Sequence, residues 1–166
     1  FASFDGQSLA GLPDEETVVE VALRLRREVV ALREAPLATP FSGPAILDGR
    51  AAAVFFHEVF GHRLEGHRQR SRSEGQTFAQ KLGAPVLPPF LDVVDDPTAA
   101  SLNGQPLAGH YVVDDEGVAS EAVVLVEDGV LRDFLRSRAP VFEGDRSNGH
   151  GRRAPGYQAV ARQGNL

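Results

Sequence analysis

The chain lacks several features that would each assign it to a class of protein. None of its 166 residues is cysteine, which excludes disulfide bonds and thiolate catalysis within them. No run approaches the roughly 18 apolar residues of a membrane-spanning helix, and the start lacks the basic and apolar stretches of a signal peptide. With 23 acidic against 17 basic residues, the net charge of -6 disfavours a general nucleic-acid or membrane surface. We expect a soluble protein that binds neither.

One group of basic residues runs against the acidic balance. Four arginines lie within ten residues, at Arg63, Arg68, Arg70 and Arg72. They could contact a phosphate, but a solvated helix end and loop is the favoured interpretation, because a charge run usually forms a solvated face. A nucleic-acid binder that also used Arg152 and Arg153 would require salt-sensitive DNA affinity.

The length and the 42% hydrophobic content are sufficient for one globular domain with its own core. We expect this domain to be part of a longer chain, because the sequence starts at Phe1 without Met and stops at Leu166 after a basic, glycine-containing stretch. We divide it into a helical lead-in over residues 1–41 and a core over residues 42–166.

Two segments have the pattern of a helix. In residues 14–33 apolar side chains recur at steps of three and four, which predicts an amphipathic helix that begins at Asp14. Residues 45–47 form a short apolar run that predicts a buried strand, ending at the turn pair Asp48-Gly49. Residues 50–64 are apolar on most sides and predict a second helix that is buried on most sides.

The second half of the chain has the character of strands. A short helix is possible over residues 77–82, and strands are predicted over 91–94, 111–113, 122–126 and 130–135. The last two flank Asp128-Gly129, a strong hairpin signal. The predicted class is α+β, with the N-terminal amphipathic helix and the second helix packed with a mainly antiparallel sheet.

Residues 57–62 read HEVFGH and place a carboxylate beside the first of two histidines. The familiar zinc-peptidase pattern has three residues between its histidines, which sets them about 40° apart on an ideal helix. The four-residue gap here sets His57 and His62 about 140° apart, too far for easy shared coordination. A wide turn with i to i+5 hydrogen bonds would bring them together, and Gly61 has the permissive backbone for it. We therefore predict a distorted or terminated helix near Gly61.

Two interpretations of this motif stay open on spacing alone: a metal site, or a satisfied buried cluster. As a metal site it supports zinc-assisted hydrolysis, in which Glu58 takes a proton from a zinc-activated water. Two histidines leave the zinc short of ligands. Glu65 is either the third ligand or a carboxylate that orients a ligating imidazole, and His67 is a weaker candidate ligand.

Further segments share their order and approximate spacing with one known family. They are Ser42-Gly43-Pro44, Ala51-Ala52, residues 57–66, Val94-Asp95-Asp96-Pro97, residues 114–117, residues 124–129, Asn148-Gly149 and Gly151-Arg152-Arg153. In these the chain resembles the TldD/PmbA metallopeptidases, also labelled modulators of DNA gyrase, whose zinc motif has the same four-residue gap. The resemblance covers about two thirds of the chain.

The resemblance implies roles for the motif residues. His57 and His62 correspond to zinc ligands and Glu58 to the general base, and their presence is typical of the active TldD-type subunit rather than its PmbA-type partner. The family often has Asp at the position of His67, and residues 148–153 carry an additional Gly-His. The family's third zinc ligand is a later cysteine, and this chain has none.

The resemblance also implies a biological setting. It is that of a cytoplasmic peptidase that degrades or matures unfolded or extended peptides, in a homo- or hetero-oligomer with a PmbA-type subunit. A leader removed earlier would leave no trace in this sequence. The alternative is a non-catalytic interaction or regulatory module of the same family, of the gyrase-modulator type, which would contain no metal and would bind a partner regardless of Glu58.

Overall fold

The computed structural model of the protein describes residues 1–4, 6, 8–70, 76–141 and 146–166. Arg72 of the arginine group lies outside these residues. The chain falls into two units, Phe1–Ala45 and Ile46–Leu166. In the described residues no helix has both the length and the apolar character needed to cross a membrane.

The first unit contains the predicted amphipathic helix. Helix α1 extends over Glu15–Glu34, and the side chain of Asp14 caps it by accepting a hydrogen bond from the Thr17 backbone N–H at 2.9 Å. This bond lowers the pKa of Asp14. Glu15 and Glu16 lie in the first turn, where negative charge interacts favourably with the helix dipole.

The second unit opens with the helix that carries the motif. Helix α2, Gly49–Phe55, is capped by Asp48, whose side chain accepts from the Ala51 N–H at 2.8 Å. A π-helical turn, Phe56–Phe60, continues it, and two 3-10 turns follow, Gly61–Leu64 and Gly66–Arg70. A further 3-10 turn, Gln76–Phe78, is all that forms of the possible helix over 77–82.

Two predictions for this region are wrong. Residues 45–47 form no strand and Ile46 is fully exposed, because a run of three apolar residues carries no period that separates strand from coil. The second helix is not buried on most sides either, since Val54 and Phe55 are 58% and 48% exposed and the first buried residue is Phe60. The apolar α2 borders an open cleft instead of a core.

Seven short strands lie within the described residues: β1 Val93–Asp95, β2 Ser101–Leu102, β3 Gln105–Pro106, β4 Val123–Glu127, β5 Val130–Leu131, β6 Gly151–Arg152 and β7 Val160–Ala161. Strands β1, β4 and β5 form an antiparallel sheet in the order β1-β4-β5, while β2 pairs with β3 and β6 with β7. The predicted hairpin is confirmed at Asp128 and Gly129, whose φ angles of 50° and 75° suit a type I′ turn. The predicted strand over 111–113 is wrong, because only an isolated bridge joins Val113 to Ala119.

The core joins the motif segment to the sheet. Its largest fully buried apolar side chains are Leu64, Leu125, Val126, Leu131, Phe134 and Leu135. Each such side chain stabilises the fold by about 1.5–3 kcal/mol through burial. Leu135 donates its N–H to the Leu64 carbonyl at 2.9 Å and accepts from the Gly66 N–H at 2.8 Å. These bonds fix the chain on both sides of Glu65, and the α+β class is confirmed.

Candidate metal centre

The π-helical turn brings the two motif histidines together. The Gly61 N–H donates to the carbonyls of Phe56 and His57, and the bond to Phe56 spans the five residues of a wide turn. The rings of His57 and His62 lie with their centroids 4.6 Å apart. The predicted distortion near Gly61 is therefore confirmed, and it offsets the extra residue between the histidines.

Three side chains of the motif share one small volume. His57, Glu58 and His62 each offer one ligand atom, and these atoms all lie within 4.8 Å of one another. Imidazole nitrogen and carboxylate oxygen are both zinc ligands, so this donor set fits the metal. The Glu58 side chain is 63% exposed, with Oε2 3.8 Å from His62 Nε2.

Glu65 lies on the other side of the His62 ring. Its carboxylate is fully buried, and Oε1 is 2.9 Å from His62 Nδ1. The Arg68 Nε donates to Oε2 at 2.7 Å, and the Arg162 Nη1 donates to both oxygens at 3.3 and 3.5 Å. A proton on His62 Nδ1 donates to Glu65 and leaves Nε2 facing Glu58 with its lone pair available.

His67 lies apart from this group. It is partly buried, and burial lowers the pKa of its imidazole. The negative charge of Glu65 raises that pKa, but by less than burial lowers it. It is not among the three side chains whose ligand atoms converge in the described part of the chain. Of the nearby arginines, Arg63 donates to Thr77 Oγ1 at 3.2 Å and Arg68 is paired with Glu65.

A second segment, which no sequence motif predicted, contacts the site. Gln163 Nε2 lies 3.3 Å from His62 Nδ1 and 3.5 Å from the His57 carbonyl oxygen. The next residue, Gly164, donates its N–H to both carboxylate oxygens of Asp95 at 3.0 Å. Asp95 is fully buried and its Oδ1 is 3.1 Å from Nε2 of His150, also fully buried. The buried pair thus holds the backbone that carries Gln163.

A cleft of about 890 Å³ opens beside His57. Its walls include Ala52 and Ala53 of α2, and larger apolar side chains from the π-helical turn, from β1 and from the loop before β1, namely Phe56, Val93 and Leu91. The apolar face of α2 therefore borders space large enough for the side chains of a bound peptide.

Residues 41–166 match the family described as PmbA/TldA metallopeptidase C-terminal domain. A metalloprotease TldD homolog of Haemophilus influenzae is 34% identical over 111 residues, which is 66% of this chain and 22% of that protein. A zinc metalloprotease TldD homolog of Saccharolobus solfataricus is 29% identical over 102 residues, 60% of this chain and 21% of that protein.

Solved structures show the same fold. TldE from Thermococcus kodakarensis matches 66% of this chain and 23% of its own length, with a TM-score of 0.51 at 24% identity. The chain spans between about a fifth and a third of the length of the related metalloproteases. From the family match over residues 41–166, the chain belongs to the PmbA/TldD metallopeptidase family.

Proposed function

We propose that this chain carries the catalytic zinc centre of a peptidase that hydrolyses unfolded or extended peptides. His57 and His62 are the zinc ligands and Glu58 is the general base. The observation that carries the proposal is the convergence of three ligand atoms within 4.8 Å on a π-helical turn. A related protein named as a zinc metalloprotease supports the choice of metal.

The chemistry divides between the metal and the side chains. Zinc, when bound, polarises the scissile carbonyl and lowers the pKa of a bound water. Glu58 lies beside the ligand cluster and is exposed, so its carboxylate can accept a proton from the attacking water and pass it to the leaving amine.

Of the two roles considered for Glu65, third zinc ligand or orienting carboxylate, we propose the orienting role. Its carboxylate is 2.9 Å from His62 Nδ1, on the ring nitrogen remote from Glu58. By accepting that N–H, it fixes the tautomer that presents Nε2 to the metal. Arg68 and Arg162 neutralise the buried charge of Glu65.

The remaining parts of the enzyme belong to the whole protein. Two histidines leave a catalytic zinc one protein ligand short, and we propose that a residue outside this chain completes the set, a cysteine if it follows the family. We also propose a cytoplasmic assembly with a PmbA-type subunit.

The test uses the full-length protein with any partner subunit. We expect Glu58→Gln to retain zinc while peptide hydrolysis falls by at least about 100-fold, because the amide keeps the size but cannot act as a base. We expect His57→Ala and His62→Ala to lose zinc. The matched control is Glu127→Gln on β4, whose side chain is 58% exposed, close to the 63% of Glu58.

The outcomes separate the alternatives. Normal turnover of Glu58→Gln would contradict the mechanism, and loss of zinc in that variant would make Glu58 a ligand. A full-length protein without zinc that binds a partner regardless of Glu58 would instead establish a non-catalytic module.

A further inference from the structure

A second cleft, of about 390 Å³, shares Gln163 and Gly164 with the first. We call it the arginine cleft and define it by Tyr111, Arg152, Arg153, Arg162, Gln163 and Gly164. Three of these side chains are guanidinium groups, and none of the described residues that line it is acidic. The electrostatic character of the cleft is therefore positive in a chain whose net charge is negative.

The three arginines are only partly neutralised. Arg152 pairs with Asp115 at 3.2 Å, and Arg162 pairs with Glu65, which is also shared with Arg68. Among the described residues, no carboxylate lies within ion-pair distance of the Arg153 guanidinium. Asp115 accepts the backbone N–H of Arg153 at 2.8 Å, and that bond lowers the pKa of Asp115. The Arg153 charge also lowers the pKa of Asp115, as the smallest of the causes, so this guanidinium is only weakly balanced.

Tyr111 forms a neutral wall of the same cleft. Burial raises the pKa of its phenol, so that the ring is not a competing anion. The hydroxyl donates to the Gly149 carbonyl at 2.9 Å, and the Arg152 guanidinium lies 4.2 Å from the ring centroid. This cation–π contact holds the guanidinium at the cleft wall, and its five N–H donors are enough to serve both Asp115 and an incoming anion.

The arginine cleft adjoins the metal centre through two residues. Gln163 lines both clefts and lies 3.3 Å from His62 Nδ1. Arg162 contributes to the cleft wall and contacts Glu65, the carboxylate bonded to His62. A peptide whose scissile bond lies at His57 and His62 can therefore extend past Gln163 into the arginine cleft.

We propose that the arginine cleft binds a carboxylate of the substrate peptide, contributed by its C-terminus or by an Asp or Glu side chain. The proposal rests on the proposed peptidase function. Arginine is the residue best suited to this ligand, because its planar group donates two parallel hydrogen bonds to a carboxylate. Bound there, the carboxylate fixes which peptide bond lies over the metal centre.

The experiment uses the complete enzyme and four synthetic peptides of one sequence. These have a free or an amidated C-terminus, combined with Glu or Gln at the position nearest that end. We expect at least one carboxylate to raise kcat/KM by about 10-fold or more over the doubly neutral peptide, the scale of a charge-assisted hydrogen bond. Loss of the preference on amidation identifies the C-terminus as the source, and loss with Gln identifies the side chain.

Arg153→Gln is the decisive variant, since among the described residues no carboxylate lies within ion-pair distance of its guanidinium and the substitution breaks no described ion pair. We expect it to abolish the preference by lowering kcat/KM for the carboxylate peptide by about 10-fold. Arg132→Gln is the control, because Arg132 pairs with Glu127 outside the cleft. Higher salt should also reduce the preference, as expected for a charged contact.

Binding measured apart from hydrolysis distinguishes the two proposals. Labelled peptides are titrated into the Glu58→Gln enzyme with and without the Arg153→Gln change. One outcome is an affinity that is the same for all four peptides and is unchanged by Arg153→Gln. If the wild-type enzyme still hydrolyses all four peptides, this result overturns the cleft proposal alone. Equal loss with all four peptides would make Arg153 structural and overturn it as well. Absence of hydrolysis by the wild-type enzyme contradicts the function, and Arg153-dependent binding of the carboxylate peptide would still support the cleft.

Discussion

Glu65 is a fully buried carboxylate with three partners of its own. It contacts His62 through one oxygen, Arg68 through the other, and Arg162 through both. Burial of an unpaired carboxylate costs several kcal/mol, so these partners are what allow a charge at this position. The arrangement makes the orientation of one histidine depend on two cations.

We expect Glu65→Gln to weaken zinc affinity of the full-length protein by about 10- to 100-fold, with activity recovered on adding zinc. The amide oxygen can accept one hydrogen bond, but it removes the charge that balances Arg68 and Arg162. Zinc titration and kcat at saturating zinc measure the effect, and Glu127→Gln is again the control. If saturating zinc did not restore activity, Glu65 would be a ligand rather than an orienting group.

At the scale of residues, the sequence predicted which side chains of one segment lie close together, but not which residues of other segments contact them. The spacing of His57 and His62, with Gly61 before the second, was sufficient to predict the wide turn that joins them. Arg162 and Gln163 could not be predicted, because they reach the site from 97 and 101 residues away and belong to no recognisable motif. The assignment of His57, Glu58 and His62 to their catalytic roles stays a prediction.

The contact between the motif segment and the sheet depends on a glycine. A Cβ at Gly66 would lie 2.6 Å from the Leu135 carbonyl oxygen and 3.1 Å from Val141 Cγ2. The first of these is a backbone atom that accepts the Gly66 N–H, so it cannot move without breaking that bond. The 3-10 turn that begins at Gly66 therefore has no space for a side chain at this position.

We expect Gly66→Ala to lower the free energy of unfolding by about 1–3 kcal/mol, as overpacking does in a close-packed interior. Gly49→Ala is the matched control, since nothing lies within 4 Å of a Cβ there and the residue is in a helix. That change should be neutral or stabilise by at most about 1 kcal/mol. Urea unfolding of both variants is the measurement, and equal stability would mean that the backbone contact at Leu135 is not tight.

Elements with a long period or a strong turn were predictable, and short elements were not. Helix α1 has five turns of pattern and an Asp cap, and the β4–β5 hairpin has a turn pair that requires positive φ. Strands β6 and β7 have two residues each, too few for any alternation to be visible. The β2–β3 hairpin was missed although Asn103 and Gly104 have positive φ, because its strands are as short.

On the scale of the molecule, the proposed function gives this chain only a subset of the groups that a catalytic zinc requires. If Glu58 acts as the base and not as a ligand, only His57 and His62 remain as zinc ligands, whereas a catalytic zinc normally has three protein ligands. The structure divides the chain into two units, Phe1–Ala45 and Ile46–Leu166. That the chain is one domain, with a lead-in over residues 1–41 and a core over residues 42–166, stays a prediction.

We expect the 166-residue chain alone to hold zinc weakly, well below one equivalent after dialysis, and the full-length protein to retain about one per chain. Each missing ligand removes a metal bond and leaves the coordination shell incomplete. Elemental analysis of both proteins is the measurement. Tight stoichiometric zinc in the shorter chain would show that its own residues complete the shell.

The ion pair between Arg162 and Glu65 closes a loop of 97 residues, whereas His57 and His62 meet within a single turn of the backbone. Contacts of such different sequence separation form at different stages of folding, because closing a long loop costs more chain entropy. A nascent or refolding chain therefore brings both histidines together, with Arg68 beside Glu65, before Arg162 arrives as the second cation. If the motif holds zinc as proposed, tight metal uptake waits for that late contact, and zinc affinity then reports how far folding has advanced.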